Sequence, residues 1–203
     1  MPPIEPNAIK ELLQHWFGRS VFEMPDMLFA DEVFCRQLSE IYATDYARYF
    51  PDQPLILQQT TRRIELIGIL LYRMARIAYL QGNEPAAEAL SNLGRFISGF
   101  EIYYTASIGP GLKINHGLGT VVGARVQIGK NCLLHQGVTL GDRNGGRPVL
   151  LDNVTVYAGA KIIGGITIGN AAIVGANCVC MKDVPDNGVI AGVPGRIITK
   201  DHE

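Results

Sequence analysis

IGKNCLLHQGVTLGDRNGGRPVLLDNVTVYAGAKIIGGITIGNAAIVGANCVC (Ile128–Cys180) brings an aliphatic side chain back every six residues, a period that suits neither an isolated helix nor an ordinary sheet. Extended upstream, the series runs Ile108, Ile114, Val122, Ile128, Leu134, Leu140, Leu150, Val156, Ile162, Ile168 and Val174, closing at Cys180. Gly follows the anchor at Gly109, Gly123, Gly129, Gly141, Gly169 and Gly175. Four places after the anchor sits a second apolar residue, often small: Val126, Cys132, Val138, Val154, Ala160, Ala172 and Cys178. Fixed-period self-similarity marks a solenoid. A hexad with one short strand and one tight turn gives three flat sides per coil, so the chain is expected to wind into a triangular prism of parallel strands. Anchors stack down its inside, and Gly frees the backbone at the corners.

The repeat breaks twice. Between Ile114 and Val122 the step is eight, so two extra residues bulge outward near His116-Gly117-Leu118-Gly119. Between Leu140 and Leu150 the step is ten, so Asp142-Arg143-Asn144-Gly145-Gly146-Arg147 forms a protruding loop. A packed interior has no room for extra residues, and insertions leave at a corner, often on the binding face. The twelve anchors make four coils. Four coils at the ~4.8 Å strand spacing stand only about 20 Å tall. So short a prism leaves its sides and ends wet, and a homotrimer of prisms packed side by side is expected.

The first hundred residues follow another grammar. Gly is sparse there (Gly18, Gly68 and Gly82 before position 90) and dense afterwards, which divides the chain into a helical domain, 1–100, and a repeat domain with a C-terminal tail, 101–203. Helices are predicted from about Ala30 to Arg48, from after Pro54 to about Leu80, and from Pro85 to near Gly99, with a shorter one over Ile9–Phe17. Pro85 suits a first helical turn. Val33, Leu38, Ile41 and Tyr42 mark the core side of the first of these. Ile64, Ile67, Leu71, Met74 and Ala78 repeat at three and four and predict a buried stripe, widened by Leu66, Ile69, Leu70 and Ile77. This region is expected to cap the open end of the prism and to supply oligomer contacts.

Composition narrows the function. With 18 basic and 19 acidic residues, the charge balance points to no nucleic-acid partner. The four cysteines, Cys35, Cys132, Cys178 and Cys180, have no paired metal-type spacing and read as small buried hydrophobes in a reducing cytosol. The opening Met-Pro-Pro-Ile-Glu-Pro does not read as a signal peptide, and none is expected. The apolar stretch Ile64–Leu80 is interrupted by Glu65, Arg73 and Arg76, so no membrane span is expected, and the chain reads as a soluble cytoplasmic protein.

Of the histidines, His15 lies near the start and His202 in the tail. His116 sits in the first break, exposed beside Gly and able to accept a proton near neutral pH. His135 follows an anchor nineteen residues on, about one coil further, so the two are candidates for neighbours. A third ligand at suitable spacing is missing, so no metal is expected.

Several runs carry a family resemblance: Ile108-Gly109, Ile114-Asn115-His116-Gly117 with Gly119, Gln136-Gly137-Val138-Thr139-Leu140-Gly141, Tyr157-Ala158-Gly159-Ala160-Lys161-Ile162, and Ala191-Gly192-Val193-Pro194-Gly195-Arg196-Ile197. Together, over about half the chain, they resemble the serine acetyltransferase family of hexapeptide-repeat acyltransferases. A weaker match extends upstream through Leu71-Tyr72-Arg73 and Gln81-Gly82. The resemblance implies an α+β fold, an N-terminal helical domain followed by a left-handed parallel β-helix. It implies acetyl transfer from acetyl-CoA to a hydroxyl, without metal and without a covalent enzyme intermediate. The family's catalytic His corresponds to His116 as general base, and its partner carboxylate, fifteen residues earlier, to Glu101. Such a carboxylate fixes the tautomer and stabilises the imidazolium. For CoA, Gly141, Ala158, Gly159 and Ala176 would line a groove between prisms, with Lys161, Lys182, Arg196 and Lys200 available for phosphates.

Departures from the family pattern fall on the acceptor side. The family's Asp before the His is Asn115, its loop Arg-His-Pro reads Gly146-Arg147-Pro148, an Asp-Pro of the helical domain has become Pro51-Asp52, and His135 replaces an apolar residue. Asn115, Arg147 and His135 are the expected substrate contacts, Arg147 for a carboxylate. The acceptor is L-serine or a related small hydroxylated molecule. The alternative is a sugar or polysaccharide precursor, and a non-catalytic scaffold is the reading from another class. The shorter helical region favours a trimer over a dimer of trimers. The tail Lys200-Asp201-His202-Glu203 lacks the family's terminal Ile, so no complex with the next enzyme of cysteine synthesis is expected.

Overall fold

The computed structural model describes residues 4–26 and 31–198. Helices come first: α1 (Pro6–Phe17), α2 (Glu32–Ala47), the single turn α3 (Leu57–Thr60), α4 (Ile64–Leu80) and α5 (Glu84–Ser98). Pro6 opens α1, where its missing N–H belongs to a turn that has no partners for it. Asp31 caps α2 by accepting from the Phe34 amide at 2.8 Å, and Asn83 caps α5 through the Ala86 amide at 3.1 Å. α5 ends on Gly99 at a left-handed φ of 71°, a conformation Gly adopts without a Cβ clash.

Two helical expectations need correction. The helix expected from Pro54 to Leu80 is broken at residues 61–63, where Arg63 has extended backbone, and α4 begins at Ile64. The α4 stripe is buried except for Ile64 at its exposed start, and Leu66, Ile69, Leu70 and Ile77 are buried too, so α4 is enclosed nearly all round. On α2, Leu38 and Tyr42 are buried, but Val33 is exposed because the helical phase runs through Phe34, Cys35 and Tyr46. The predicted start near Ala30 lies outside the described residues. No helix among the described residues is long and apolar enough to cross a membrane.

From Glu101 the chain winds through three sheets, each a side of the prism. The first side stacks β1 (Glu101–Ile102), β4 (Val121–Val122), β7 (Thr139–Gly141), β10 (Lys161–Ile163) and β13 (Val179–Cys180) in that order. The second stacks β2 (Ser107–Ile108), β5 (Gln127–Ile128), β8 (Val149–Leu150) and β11 (Thr167–Ile168). The third stacks β3 (Lys113–Asn115), β6 (Leu133–His135), β9 (Thr155–Val156), β12 (Ile173–Val174) and β14 (Val189–Ala191), then β15 (Arg196–Ile198), the one antiparallel addition. Register pairs anchor with anchor: Ile102 with Val122, Ile108 with Ile128, Ile114 with Leu134. Every anchor and every small second position named above is buried.

The prism is longer than the anchor series predicts. Ile102 adds an anchor before Ile108, and the winding continues past Cys180 through Val184, which bridges Ile168, to buried Ile190. A four-residue step from Cys180 to Val184 hides that last coil from a period of six.

The role expected of the post-anchor glycines also changes. None of them has positive φ; the left-handed corners include Gly111, Gly119, Gly137 and Gly159, Asn131, Asn153, Asn177 and Asn187, and even Arg125 and Ala171. Gly109 and Gly129 are instead required by crowding. A Cβ on Gly109 would sit 2.8 Å from the Gly129 carbonyl carbon, and one on Gly129 would sit 2.3 Å from the Asp152 carboxylate. They let one coil lie against the next.

The first coil has an open strand edge, and the helices close it with side chains. Tyr72 donates to the Ala106 carbonyl (2.9 Å), Arg73 to those of Ile108 (2.5 Å) and Gly109 (2.7 Å), and Arg48 to that of Gly111 (2.7 Å). Thr44 accepts from the Gly111 amide (3.0 Å) and Asp45 from the Leu112 amide (2.7 Å). Tyr49 donates to the Ile114 carbonyl (2.7 Å) and accepts from its amide (2.8 Å). Arg73 and Asp45 are buried and paired at 2.8 and 3.0 Å, and no buried side-chain polar atom among the described residues lacks a partner. Burial pushes the Asp45 carboxyl above its ordinary value against the pull of Arg73. A buried pair survives when its remaining hydrogen bonds are made, as these are.

Candidate active site

The corner between the third and first sides carries His116. The two-residue excess after β3 leaves the wall there, with His116 at φ 65° and Gly117 at φ 57°. His116 and Leu118 are exposed while Gly117 is buried, its Cβ position 2.6 Å from the Phe100 ring. The stretch 99–101 runs alongside this excursion: Gly119 N–H donates to the Gly99 carbonyl and Glu101 N–H to that of Thr120, both at 2.9 Å. The Glu101 carboxylate pairs with exposed Arg95 at 3.4 Å, so the expected hydrogen bond to His116 is not made in this chain.

Above His116 the same corner repeats as a row of turns. Gly137 N–H donates to the Leu118 carbonyl, Gly159 N–H to that of Gln136, and Asn177 N–H to that of Ala158, all between 2.8 and 3.0 Å. Gly159 has φ 73°, and a Cβ on it would meet the Asn177 amide oxygen at 2.1 Å, so only Gly keeps this row flat. Ala158, Gly159 and Ala176 therefore share the corner of His116. Gly141 does not; it ends a strand of the first side and sits at that side's other edge.

Arg147 shares that other edge. Its loop follows β7, whereas the His116 excursion precedes β4. The loop closes as a two-residue hairpin, Arg143 and Gly146 exchanging backbone hydrogen bonds at 3.0 and 3.1 Å. Asn144 and Gly145 at its tip have φ of 53° and 84°, as such a turn demands. Arg147 holds it from below. Its Nε donates to the Ala124 carbonyl (2.8 Å), and its Nη1 to the Gly145 carbonyl (2.6 Å) and the Asp142 carboxylate (2.8 Å). One chain thus separates His116 and Arg147 by the width of the first side.

On the third side Asn115, His135 and Tyr157 each follow an anchor and stack one per coil. Asn115 is in register with His135, and the His135 and Tyr157 rings lie 5.1 Å apart at 22°. Burial, with His116 nearby, lowers the His135 pKa, so its imidazole is more firmly neutral than usual. Of the cations expected for phosphates, Lys161 is taken up by the Gly137 carbonyl and the Thr139 hydroxyl. Lys182 and Arg196 are exposed, and Lys200 and His202 lie outside the described residues. Among the described residues no group of three or more His, Cys, Asp or Glu could hold a metal ion. The four cysteines are buried and unpaired, burial raising the Cys35 and Cys132 thiols to about 11.

One feature of the site escaped sequence reasoning. A cleft of about 180 Å³ opens between the helices and β3, lined by Tyr49, Arg63, Glu65, Lys113, Ile114, Asn115 and His116. Tyr49, Arg63 and Glu65 come from the helical region; the sequence places Tyr49 just past the end of one predicted helix and Arg63 and Glu65 inside the next. No local signal marks them, since the cleft exists only where the helices dock.

A prism of hexad coils with a histidine on a corner excursion defines a hexapeptide-repeat acyltransferase fold. No family model matches the chain. It is 38% identical over 140 residues to a serine acetyltransferase of Bacillus pumilus, covering 67% of this chain and 64% of that protein. It is 38% identical over 149 residues to one of Staphylococcus aureus, covering 71% and 70%. A serine acetyltransferase structure in complex with CoA aligns over 95% of this chain and 84% of its own, at 27% identity and a TM-score of 0.77. The chain belongs to the serine acetyltransferase family, although it spans just under two thirds of the Bacillus pumilus relative.

Proposed function

We propose that the chain transfers an acetyl group from acetyl-CoA to the hydroxyl of L-serine or a related small hydroxylated molecule. The observation that carries this reading is His116, exposed on the corner excursion at the foot of the flat row Gly137–Gly159 and at the mouth of the cleft beside Asn115. His116 takes the hydroxyl proton as the oxygen attacks the thioester carbonyl. The new C–O bond forms, the C–S bond breaks, and the departing thiolate takes the proton back from the imidazolium. Glu101, on the strand beside the excursion, is the carboxylate assigned to the far ring nitrogen. That requires it to leave Arg95, an exchange that costs little because Arg95 is 66% exposed. Ala158, Gly159 and Ala176 offer backbone groups to the CoA arm, with Lys182 and Arg196 as its cations. Asn115 and His135 flank the acceptor.

The separation of His116 from Gly141 and Arg147 supports a working unit of more than one chain. In a trimer of prisms, one subunit's His116 corner meets the other edge of its neighbour's first side. Gly141 and the loop that Arg147 holds then complete the groove from the adjoining chain. The test is thiol release from acetyl-CoA in the presence of L-serine, homoserine and simple sugars. L-serine should be turned over, and His116→Ala should lose ~10²–10⁴-fold in kcat, the usual scale for a general base. Turnover of sugars alone would move the acceptor to a polysaccharide precursor, and an unaffected His116→Ala would remove the general base.

A further inference from the structure

A larger cavity, of about 420 Å³, lies where the helices meet the second side of the prism, whereas the cleft at His116 lies over the third. Its volume falls inside the ~300–1,000 Å³ of small-molecule sites. Arg73, Arg76, Ile77 and Leu80 recur at three and four along one face of α4, Gln37 and Ile41 at four along α2, and Ile108 of β2 lines the space from the prism. Leu80 is 66% exposed although it lines the cavity, so apolar surface is left wet there. No acidic residue lines the space, and its two arginines differ. Arg73 is fully committed, to both Asp45 oxygens and to the Ile108 and Gly109 carbonyls. Arg76 is half-buried, with its guanidinium carbon 5.6 Å from the centre of the Tyr79 ring. Only its Nη1 is engaged, by the Tyr104 and Thr105 carbonyls at 3.5 and 3.3 Å. The ion pairs among the described residues are Arg73 with Asp45, Arg95 with Glu101 and Arg147 with Asp142, so Arg76 has no carboxylate partner there. One half-buried cation without an anion, beside aliphatic surface, complements a ligand with one negative charge and an apolar body. A phosphate would leave Ile41, Ile77 and Leu80 uncovered.

We propose that this cavity is a second ligand site, for a small aliphatic monocarboxylate: Arg76 forks the carboxylate through Nε and Nη2, and Ile41, Ile77 and Leu80 receive the chain. The inference uses neither His116 nor its cleft, so it stands or falls apart from the acyl-transfer reading. Arg73 ties the site to the cap. It lines the cavity and holds the Ile108 and Gly109 carbonyls, so a bound acid bears on the junction where the helices grip the first coil. A ligand that binds only the folded chain stabilises it.

The experiment measures binding by calorimetry and by the rise in Tm, with hexanoate as the probe. Hexanamide lacks the charge, acetate lacks the chain, and inorganic phosphate is the competing anion. The full chain is used as wild type, Arg76→Met, Leu80→Asn and Lys113→Met. Wild type should bind hexanoate with a Kd of ~1 mM or tighter, the scale of so small a ligand, and should bind hexanamide, acetate and phosphate at least ~10-fold more weakly. Arg76→Met, which keeps the aliphatic stem, should weaken hexanoate by about 10–100-fold, the range of a charge-assisted hydrogen bond. Leu80→Asn changes an exposed side chain and leaves the fold intact, so it carries the test even if Arg76→Met does not fold. It should weaken hexanoate by about 3–10-fold. Lys113→Met alters the cleft beside His116 and should bind hexanoate as wild type does. Full binding in Arg76→Met or Leu80→Asn, hexanamide or phosphate bound as tightly as hexanoate, or a loss confined to Lys113→Met would each overturn the assignment. So would no binding at ~10 mM, the result expected if a neighbouring subunit fills the cavity.

Discussion

The two ends of the prism solve one problem in different ways. Both expose a row of unpaired strand groups, which a solenoid has to cover. At the far end the chain does this with its own backbone: β15 folds back antiparallel on β14, Ile190 opposite Ile197. At the near end seven side chains from α2, the residues after it, and α4 reach across to the first coil, from Thr44 to Arg76. Backbone pairing leaves no space behind it. Side-chain capping holds the helices at arm's length from β3, and the gap becomes the cleft next to His116. The cap and one wall of the site are the same structure.

The comparison breaks most severely at Arg73. Arg73→Met strands Asp45 as an uncompensated buried charge, and stability measured by urea unfolding should fall by about 3–5 kcal/mol. Tyr49→Phe keeps the ring but leaves the Ile114 peptide unpaired. It should cost about 1–3 kcal/mol and lower kcat with L-serine, because the strand it grips delivers His116 one residue past its end. A kcat unchanged in that variant would uncouple the cap from the chemistry. At the far end, Ile198→Thr on the exposed face of β15 should shift stability by less than about 0.5 kcal/mol.

The smallest effect is a slope. The folded chain lowers the pKa of His135 below 6.5, so as pH falls past about 6.5 the unfolded chain binds this proton first. His135 therefore costs nothing at higher pH and erodes stability as pH drops toward its folded value. His135→Gln should flatten the fall in stability as pH drops below about 6.5, measured by denaturant titration at each pH. An unaltered slope would mean the ring titrates alike in both states.

Much of this was legible from the hexads. The anchors, the two insertions and the histidine carried by the first of them follow from a period that any buried stack of identical corners must obey. The reading erred where the period was asked for more than it encodes. Post-anchor Gly was expected to turn the chain, yet Asn131 and Asn153 turn corners too, and Gly109 answers to the coil above it. The break before α4 was missed because Thr61-Arg62-Arg63 contains no Gly or Pro. The pairing of Glu101 with His116 is a separate matter: it comes from the family resemblance, and in the single chain the Glu101 carboxylate lies 3.4 Å from Arg95.

The sequence alone determined the prism, because stacking repeats is a local rule applied again and again, each coil seeing only its neighbours. It also determined that the insertions leave at corners and that His116 rides on one of them. Tertiary structure alone decided that the two insertions emerge at opposite edges of one side, and that Tyr49, Arg63 and Glu65 close a cleft with Lys113. Those facts depend on how far the chain has turned between two residues and on where a helix lands across sixty-odd positions of chain. Neither quantity is written in the spacing of side chains along the sequence.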